Sequence, residues 1–396
     1  MEVAHTERPG PNLINKFAVA ATGLILSLAG LTHAYDDKKE SPGGGKIERT
    51  LAVQPQATIT LCVASGALTV RGWDRPEVRV RSLDAQQIEF HRIDKVKAGE
   101  PAPPASRVDI MVLDKNSRAN PRLDCQAIAD VEMDVPAGAT VQVQTRDGDI
   151  KIIGVAGAYA GSQNGDIIIE RATKLVEAGS VGGSISLKDS SGRVNLNSAG
   201  GGVEATNVRG ATPEDTFEVG TVSGDIQLDH IANPKVTVKT VNGTVMMSGA
   251  LVKAGYYTFV NMTGEVVLSL PPDASFRLSA KVSDKQDIIS EFPLKYLGET
   301  PAPAPPVVRP RTPMPKPPEM EQPPAKEKPA IKQKEKSAIK TAPPAPGAKG
   351  GPTVSPIIVE RPVIAPYVRR VEAIYGSGDA MISVASFGGT VRLKKL

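Results

Sequence analysis

The chain has 396 residues, with 4% aromatics, 37 glycines, 34 prolines, two cysteines and a formal net charge of +4. Near-balanced charge gives no case for nucleic-acid binding, and the scarcity of aromatics argues against a core built on large rings. The length is enough to bury a sizeable core.

Residues 1–34 read as a signal peptide. Arg8 and Lys16 precede an apolar run from Phe17 to Leu31. That run is about 15 residues, short of the roughly 20 that a membrane helix needs. Thr32-His33-Ala34 then supplies a small residue, so cleavage is expected after Ala34. An uncleaved N-terminal membrane anchor is the alternative. No cysteine follows the run, so a lipoprotein anchor is not indicated. The expected location is the periplasm or cell surface.

A flexible leader, 35–46, is followed by alternating strand patterns from Ile47: Leu51 and Val53, then Ile59, Leu61 and Val63. A turn at Ser65-Gly66 leads to Leu68-Thr69-Val70, and Arg71-Gly72-Trp73-Asp74-Arg75-Pro76-Glu77-Val78 reads as a tight loop into another strand. Residues 84–106 are charged and contain proline, and read as a loop. Strands resume at Val108–Val112. Cys62 and Cys125 both lie in the exported part, where an oxidising compartment permits a disulfide between them. Two buried free thiols are the alternative.

From about Val131 to Leu270 a short phrase returns: a small polar residue, glycine, any residue, then two aliphatic residues two apart. It reads Asp147-Gly148-Asp149-Ile150-Lys151-Ile152 and Asn164-Gly165-Asp166-Ile167-Ile168-Ile169. It recurs with its glycine at 183, 192, 224, 243 and 264. Each phrase is a turn followed by a strand: glycine and its polar neighbour suit the turn, and the spaced aliphatics share one strand face. A second strand-like run, such as Val141-Gln142-Val143, separates successive phrases. One such unit cannot bury its apolar face alone, but stacked units can. The predicted fold is therefore all-β, a β-solenoid or β-helix-like stack of strand repeats over 47–297. A plain antiparallel sandwich is the alternative. It is less favoured because every phrase runs in the same orientation and long helical patterns are missing.

Residues 298–366 change character, from Pro301-Ala302-Pro303 to Lys326-Glu327-Lys328-Pro329. So little apolar surface predicts a disordered Pro/Lys-rich insertion. The phrase then returns in Met381–Leu393, so 367–396 are expected to add a final rung that completes the solenoid.

The chemistry-bearing residues are few. Asp149, Asp166 and Asp225 follow phrase glycines and would stack in a column. Calcium takes oxygen ligands, but the same position holds Ser184, Arg193, Thr244, Glu265 and Thr390, and Asp beside Gly is a common turn residue. No metal site is expected. Asp109, Asp114 and Asp124 lie near Arg107, Arg118 and Arg122 in sequence, the nearest approach to a catalytic cluster. His91 and His230 are far apart, no zinc spacing occurs, and no nucleophile elbow or phosphate loop is present. No catalytic residue or cofactor is expected. Trp73 is read as a packing plug over the core end, with stacking on a sugar as the alternative. The Lys-rich tract 326–349 is read as a solvated spacer, with contact to anionic polymers as the alternative.

Taken together, the Ser/Asn/Asp-Gly-Asp-Ile units, Val70–Val78 and Ser386-Phe387-Gly388-Gly389-Thr390-Val391 resemble the bacterial putative-adhesin family, a domain of unknown function built of β-strand repeats. The resemblance covers about 47–83, 131–290 and 375–396. It implies a solenoid at the cell envelope and brings no catalytic residues. The expected function is that of an exported, non-enzymatic surface or envelope protein with an adhesin-like binding or structural role. Its partner would be an envelope polymer, glycan or protein. The alternatives are a polysaccharide-active β-helix enzyme and an envelope-stress-associated interaction protein.

Overall fold

The computed structural model describes residues 46–94, 101–115, 125–283, 287–300 and 368–396. All of them fall in one contact unit, Gly44–Leu396. The expected signal peptide, its cleavage site and residues 301–366 of the expected Pro/Lys-rich insertion lie outside the described residues, whereas 298–300, expected to open that insertion, belong to the strand Lys295–Thr300.

Strands make up the regular structure of the described residues, and no helix occurs among them. The middle of the fold is a β-solenoid of two facing sheets. Sheet A stacks the phrase strands, including Ile150–Ile153, Ile167–Glu170, Ile185–Lys188, Val203–Arg209, Ile226–Ala232, Val245–Ser248 and Val266–Leu270, all parallel and in register. Sheet B stacks the intervening runs in the same way, from Thr140–Asp147 through Gly157–Ser162, Leu175–Ser180, Arg193–Ser198, Thr216–Ser223 and Lys235–Asn242 to Tyr256–Thr263. Parallel pairing throughout this region excludes the antiparallel sandwich. Alternate residues point inward by the pleat. Ile150, Ile152, Ile167, Ile169, Ile185 and Leu187 from sheet A therefore meet Val141, Val143, Val176, Val194, Leu196 and Phe217 from sheet B in one buried core.

The turn from sheet B to sheet A explains the repeat. Glycines 148, 165, 183, 201, 224, 243 and 264 stack in a column that begins at Gly66 and ends at Gly389. From Gly148 on, a Cβ would fall on the carbonyl oxygen of the glycine one rung before, and at Gly66 on that of Ala129, closer than the 3.0 Å that real Cβ atoms respect. Six of the nine, including Gly148, Gly165, Gly183 and Gly224, lack positive φ, so the close approach of the preceding rung, rather than backbone angle, is what requires glycine there. Positive φ adds to that requirement only at Gly66, Gly243 and Gly264.

Three residues before each glycine from Gly148 on stands a buried small polar side chain. The hydroxyls of Ser162, Ser180, Ser198 and Thr221 donate to the carbonyls of Gly148, Gly165, Gly183 and Gly201, and the Asn261 amide donates to that of Gly243. These bonds satisfy carbonyls at a buried corner, where an unpaired group is costly.

Three readings of the sequence change. Gly192 is not in the column: it sits in the opposite turn, with φ +102°, ahead of the sheet B strand Arg193–Ser198. The true phrase of that rung is Gly201-Gly202-Val203-Glu204-Ala205. Within 84–106, read as a loop, Gln87–Arg92 is a strand antiparallel to Ala105–Leu113.

The third change concerns the chain's end. Ala380–Ser386 pairs in parallel with Tyr256–Thr263 on one side and with Phe276–Ser283 on the other. Val391–Lys395 is likewise placed between Val266–Leu270 and Ile288–Ser290. The C-terminal strands are thus an inserted rung, not the last one. Beyond Phe276–Ser283, sheet B ends in the antiparallel strands Val368–Tyr375 and Lys295–Thr300. At the other end Gln87–Arg92 closes sheet B, and sheet A runs through the antiparallel Glu77–Ser82 to the first residues of Ile47–Ser65. Antiparallel strands so terminate both ends of sheet B and the N-terminal end of sheet A, which interrupts the parallel template that an open edge would offer.

Candidate functional site

The pleat that buries the aliphatic residues sends their neighbours outward, and register aligns those neighbours into rows along the stack. On sheet A the outer rows carry ion pairs: Lys151 with Glu170 at 3.6 Å, Lys188 with Glu204 at 3.8 Å and Arg392 with Glu265 at 2.7 Å. Near the N-terminal end Asp134 receives Arg79 at 2.8 Å and Arg81 at 3.0 Å.

Sheet B differs. One outer row reads Thr60, Gln142, Tyr159, Glu177 and Asn195. The next reads Cys62, Gln144, Gly161, Gly179, Asn197 and Gly220. Between them lies a shallow groove of about 410 Å³. Its polar groups are amides, hydroxyls and the single carboxylate of Glu177. Thr60 Oγ1 donates weakly to Gln142 Oε1 at 3.4 Å, and Asn197 Nδ2 donates to Asn195 Oδ1 at 2.8 Å. Glu177 forms no ion pair among the described residues. Cys62 borders the groove and is joined to Cys125 in a disulfide, with Cα atoms 4.8 Å apart. This bond ties the start of the segment that leads into Val131–Pro136 to the strand Ile47–Ser65.

The residues singled out from sequence fall elsewhere. Asp149, Asp166 and Asp225 do form a column, but each carboxylate accepts the backbone N–H one rung on, of Asp166, Ser184 and Thr244 respectively, at 2.7–2.9 Å. They tie rung to rung. Among the described residues no three His, Cys, Asp or Glu side chains converge to hold a metal. Asp114 accepts the Ile128 N–H. Asp124, Arg118 and Arg122 lie outside the described residues, and Arg107 is exposed. Asp109 lies beyond Thr60 in the Tyr159 row, opposite His91. His91 pairs with Glu89 at 3.0 Å and His230 with Asp229 at 2.9 Å, in distant parts of the stack. Trp73 donates its indole N–H to the Glu77 carbonyl at 2.9 Å, and the Arg75 and Arg79 guanidiniums lie 5.1 and 4.8 Å from its ring centre. Those contacts hold the half-buried ring against two guanidiniums, and Trp73 is not among the side chains packed on the core.

Among the described residues, four carboxyl groups are held below the ordinary Asp value of 3.8. Asp94 is lowered mainly by the Ser106 hydroxyl, Asp147 by the Asn164 amide, Asp229 by the Ser248 hydroxyl and then His230, and Asp379 by the Ser377 hydroxyl. None belongs to the groove.

The model of the Toastrack family, DUF4097, matches residues 77–293, more than half of the chain. The chain belongs to the Toastrack DUF4097 family. The chain also matches solved bacterial structures. A "putative adhesin" from Parabacteroides merdae is 10% identical, with 58% of this chain and 90% of that one covered and a TM-score of 0.34. A "putative lipid binding protein" from Parabacteroides distasonis is 13% identical, over 59% and 92%, with a TM-score of 0.34. A "putative cell adhesion protein" from Clostridium sporogenes is 8% identical, over 89% and 100%, with a TM-score of 0.23. Among curated proteins none matches the sequence.

Proposed function

We propose that this Toastrack protein is exported and acts without catalysis, as an envelope protein that binds a partner on the outer face of its solenoid. The observation that carries this reading is the contrast between the two faces. Sheet A pairs many of its outer charges across neighbouring strands, whereas sheet B leaves a groove of mostly uncharged polar side chains with few partners of their own. Export is supported by the apolar run ahead of Thr32-His33-Ala34, and the Cys62–Cys125 disulfide suits an oxidising compartment.

The enzymatic alternative fares worse on distance. In the row that holds the groove, Glu177 stands four strand spacings from Asp109 and two from Glu218, about 19 Å and about 10 Å at ~4.8 Å per strand, and neither Asp109 nor Glu218 lines the groove. Glycosidic hydrolysis places its two carboxyl groups roughly 5–9.5 Å apart.

Fractionation of cells and retention of envelope material on the immobilised protein test the reading. The mature N-terminus is expected at Tyr35, outside the cytoplasm, with envelope material retained. A cytoplasmic protein with Met1 intact, or one that retains no envelope material, overturns it.

A further inference from the structure

Gly161 and Gly179 pose a question that the fold does not answer. Both lie within strands, Gly157–Ser162 and Leu175–Ser180, where glycine is unfavourable relative to residues with side chains. Neither has positive φ. A Cβ at Gly161 would meet only the Gln144 Cγ, at 3.7 Å, and one at Gly179 only the Asn197 carbonyl oxygen, at 3.9 Å, both ordinary contacts. The column glycines, by contrast, are walled in by backbone. Gly161 and Gly179 are neighbours in register and form the floor of the sheet B groove. A strand glycine often marks a place where a ligand or another backbone comes close, and no other backbone fills the space over these two.

What surrounds that floor indicates the kind of molecule. Tyr159 stands beside it, two residues from Gly161 on the same strand, and offers an apolar ring with a polar tip. Gln142, Gln144 and Asn197 offer amides that both donate and accept, as vicinal hydroxyls require. The groove holds one carboxylate and no cation, so it disfavours an anionic chain. The backbone groups beneath it are spent on the parallel ladders on both sides, so an added peptide strand has no edge to pair with. The groove crosses the strands, along the stack, and suits a chain of flat rings laid over successive rungs.

We propose that this groove is a binding site for an uncharged saccharide chain, with Tyr159 as the ring platform and the floor of Gly161 and Gly179 giving the chain room to lie flat. The proposal rests on the envelope-binding reading above and names the ligand class of that same face.

Titration calorimetry on the full chain with neutral cello- and chito-oligosaccharides tests it, with polygalacturonate as the anionic comparison. The parent should bind a neutral oligomer. Tyr159→Ala should weaken binding by about tenfold. Gly161→Val and Gly179→Val should abolish it while melting no lower than the parent, since valine suits a strand and its Cβ meets no clash. Oligosaccharide binding that survives both valine variants overturns the groove assignment. Preference for the anionic polymer overturns the uncharged class. A parent that retains envelope material but binds no neutral oligomer overturns this inference and leaves the proposed function standing; one that does neither overturns both.

Discussion

Replacing Gly183 by alanine should damage the solenoid more than any change of similar size on its surface. The new Cβ would fall on the Gly165 carbonyl oxygen, and reaching even the 3.0 Å limit requires the two rungs to part by about 1 Å at that corner. The bonds that hold the corner have little slack. Gly182 N–H donates to the Gln163 carbonyl at 2.7 Å, Ile167 N–H to the Ser184 carbonyl at 2.9 Å, and the Ser180 hydroxyl to the Gly165 carbonyl at 3.1 Å. An added ångström carries all three beyond hydrogen-bond range. At about 1 kcal/mol net for each bond, the expected loss is roughly 2–4 kcal/mol. Gly154→Ala is the control for backbone angle. Its φ is +70°, yet a Cβ there meets nothing within 4 Å. Only the left-handed penalty applies, about 1–2 kcal/mol. Gly179→Ala is the control for a strand glycine, expected neutral or stabilising by about 0.5–1 kcal/mol. Urea unfolding of the three variants gives the order directly. Because stacked repeats couple mainly to their neighbours, Gly183→Ala should also broaden or split the transition. If Gly183→Ala unfolds within about 0.5 kcal/mol of the parent, or if Gly154→Ala is the more damaging, close stacking is not what keeps the column glycine.

Further outcomes follow from the same geometry. Asp166→Ala removes the acceptor of the Ser184 N–H and should cost about 1 kcal/mol, with melting unchanged by calcium or chelator; a calcium-dependent melt would restore the metal column. Reduction of Cys62–Cys125, which are 63 residues apart, should destabilise by up to about 4 kcal/mol; denaturant unfolding with and without reductant measures this, and identical curves would refute it. Asp147, Asp229 and Asp379 have folded-state pKa values below the ordinary 3.8. The unfolded chain therefore binds their protons first as pH falls. Their stabilisation is complete above the ordinary value and is lost as pH drops through the lower, folded values. Melting temperature should consequently hold steady from neutral pH to about pH 5 and fall below about pH 4, and Asp229→Asn should make that fall shallower; a main transition near pH 6 would contradict this.

How much of this was legible in the sequence depends on distance along the chain. The turn-strand phrase is local, and it gave the solenoid and its core faces correctly. Phase was harder. Gly192 imitates the phrase because its own turn is also polar-Gly followed by alternating aliphatics. The real copy at Gly201 was hidden in Gly200-Gly201-Gly202, with the small Ala205 in an aliphatic position. The Ser/Thr/Asn three residues before each column glycine from Gly148 on was a readable signal that resolves this phase. The groove was not readable, because it belongs to rows that cross the rungs. Thr60, Gln142, Tyr159 and Glu177 are remote in sequence and meet only through register.

The order of rungs at the C-terminal end was also beyond local reading, since parallel, in-register rungs present similar faces and any one can in principle stack on another. That interchangeability makes the inserted rung testable. Phe276–Ser283 pairs on one side with Ala380–Ser386 and on the other with Val368–Tyr375. It makes no strand pairing with Tyr256–Thr263, the rung that precedes it in sequence. Removing residues 376–396 therefore does more than bare an edge. It takes out the layer that joins Phe276–Ser290 and its antiparallel cover to the rest of the stack, and leaves Tyr256–Thr263 and Val266–Leu270 as open parallel edges, a template for self-association. Hydrogen exchange on the truncated chain should show amides of 276–283 losing protection while those of 150–245 keep theirs, because stacked repeats fail locally before they fail together. Light scattering should show association that grows with concentration. Should 276–283 stay protected in a monomer, the strand has docked directly on Tyr256–Thr263, and the C-terminal rung is an insertion the stack does not need. If protection is lost as expected, Ala380–Lys395 is the support that holds the rung from 276 to 290 on the stack.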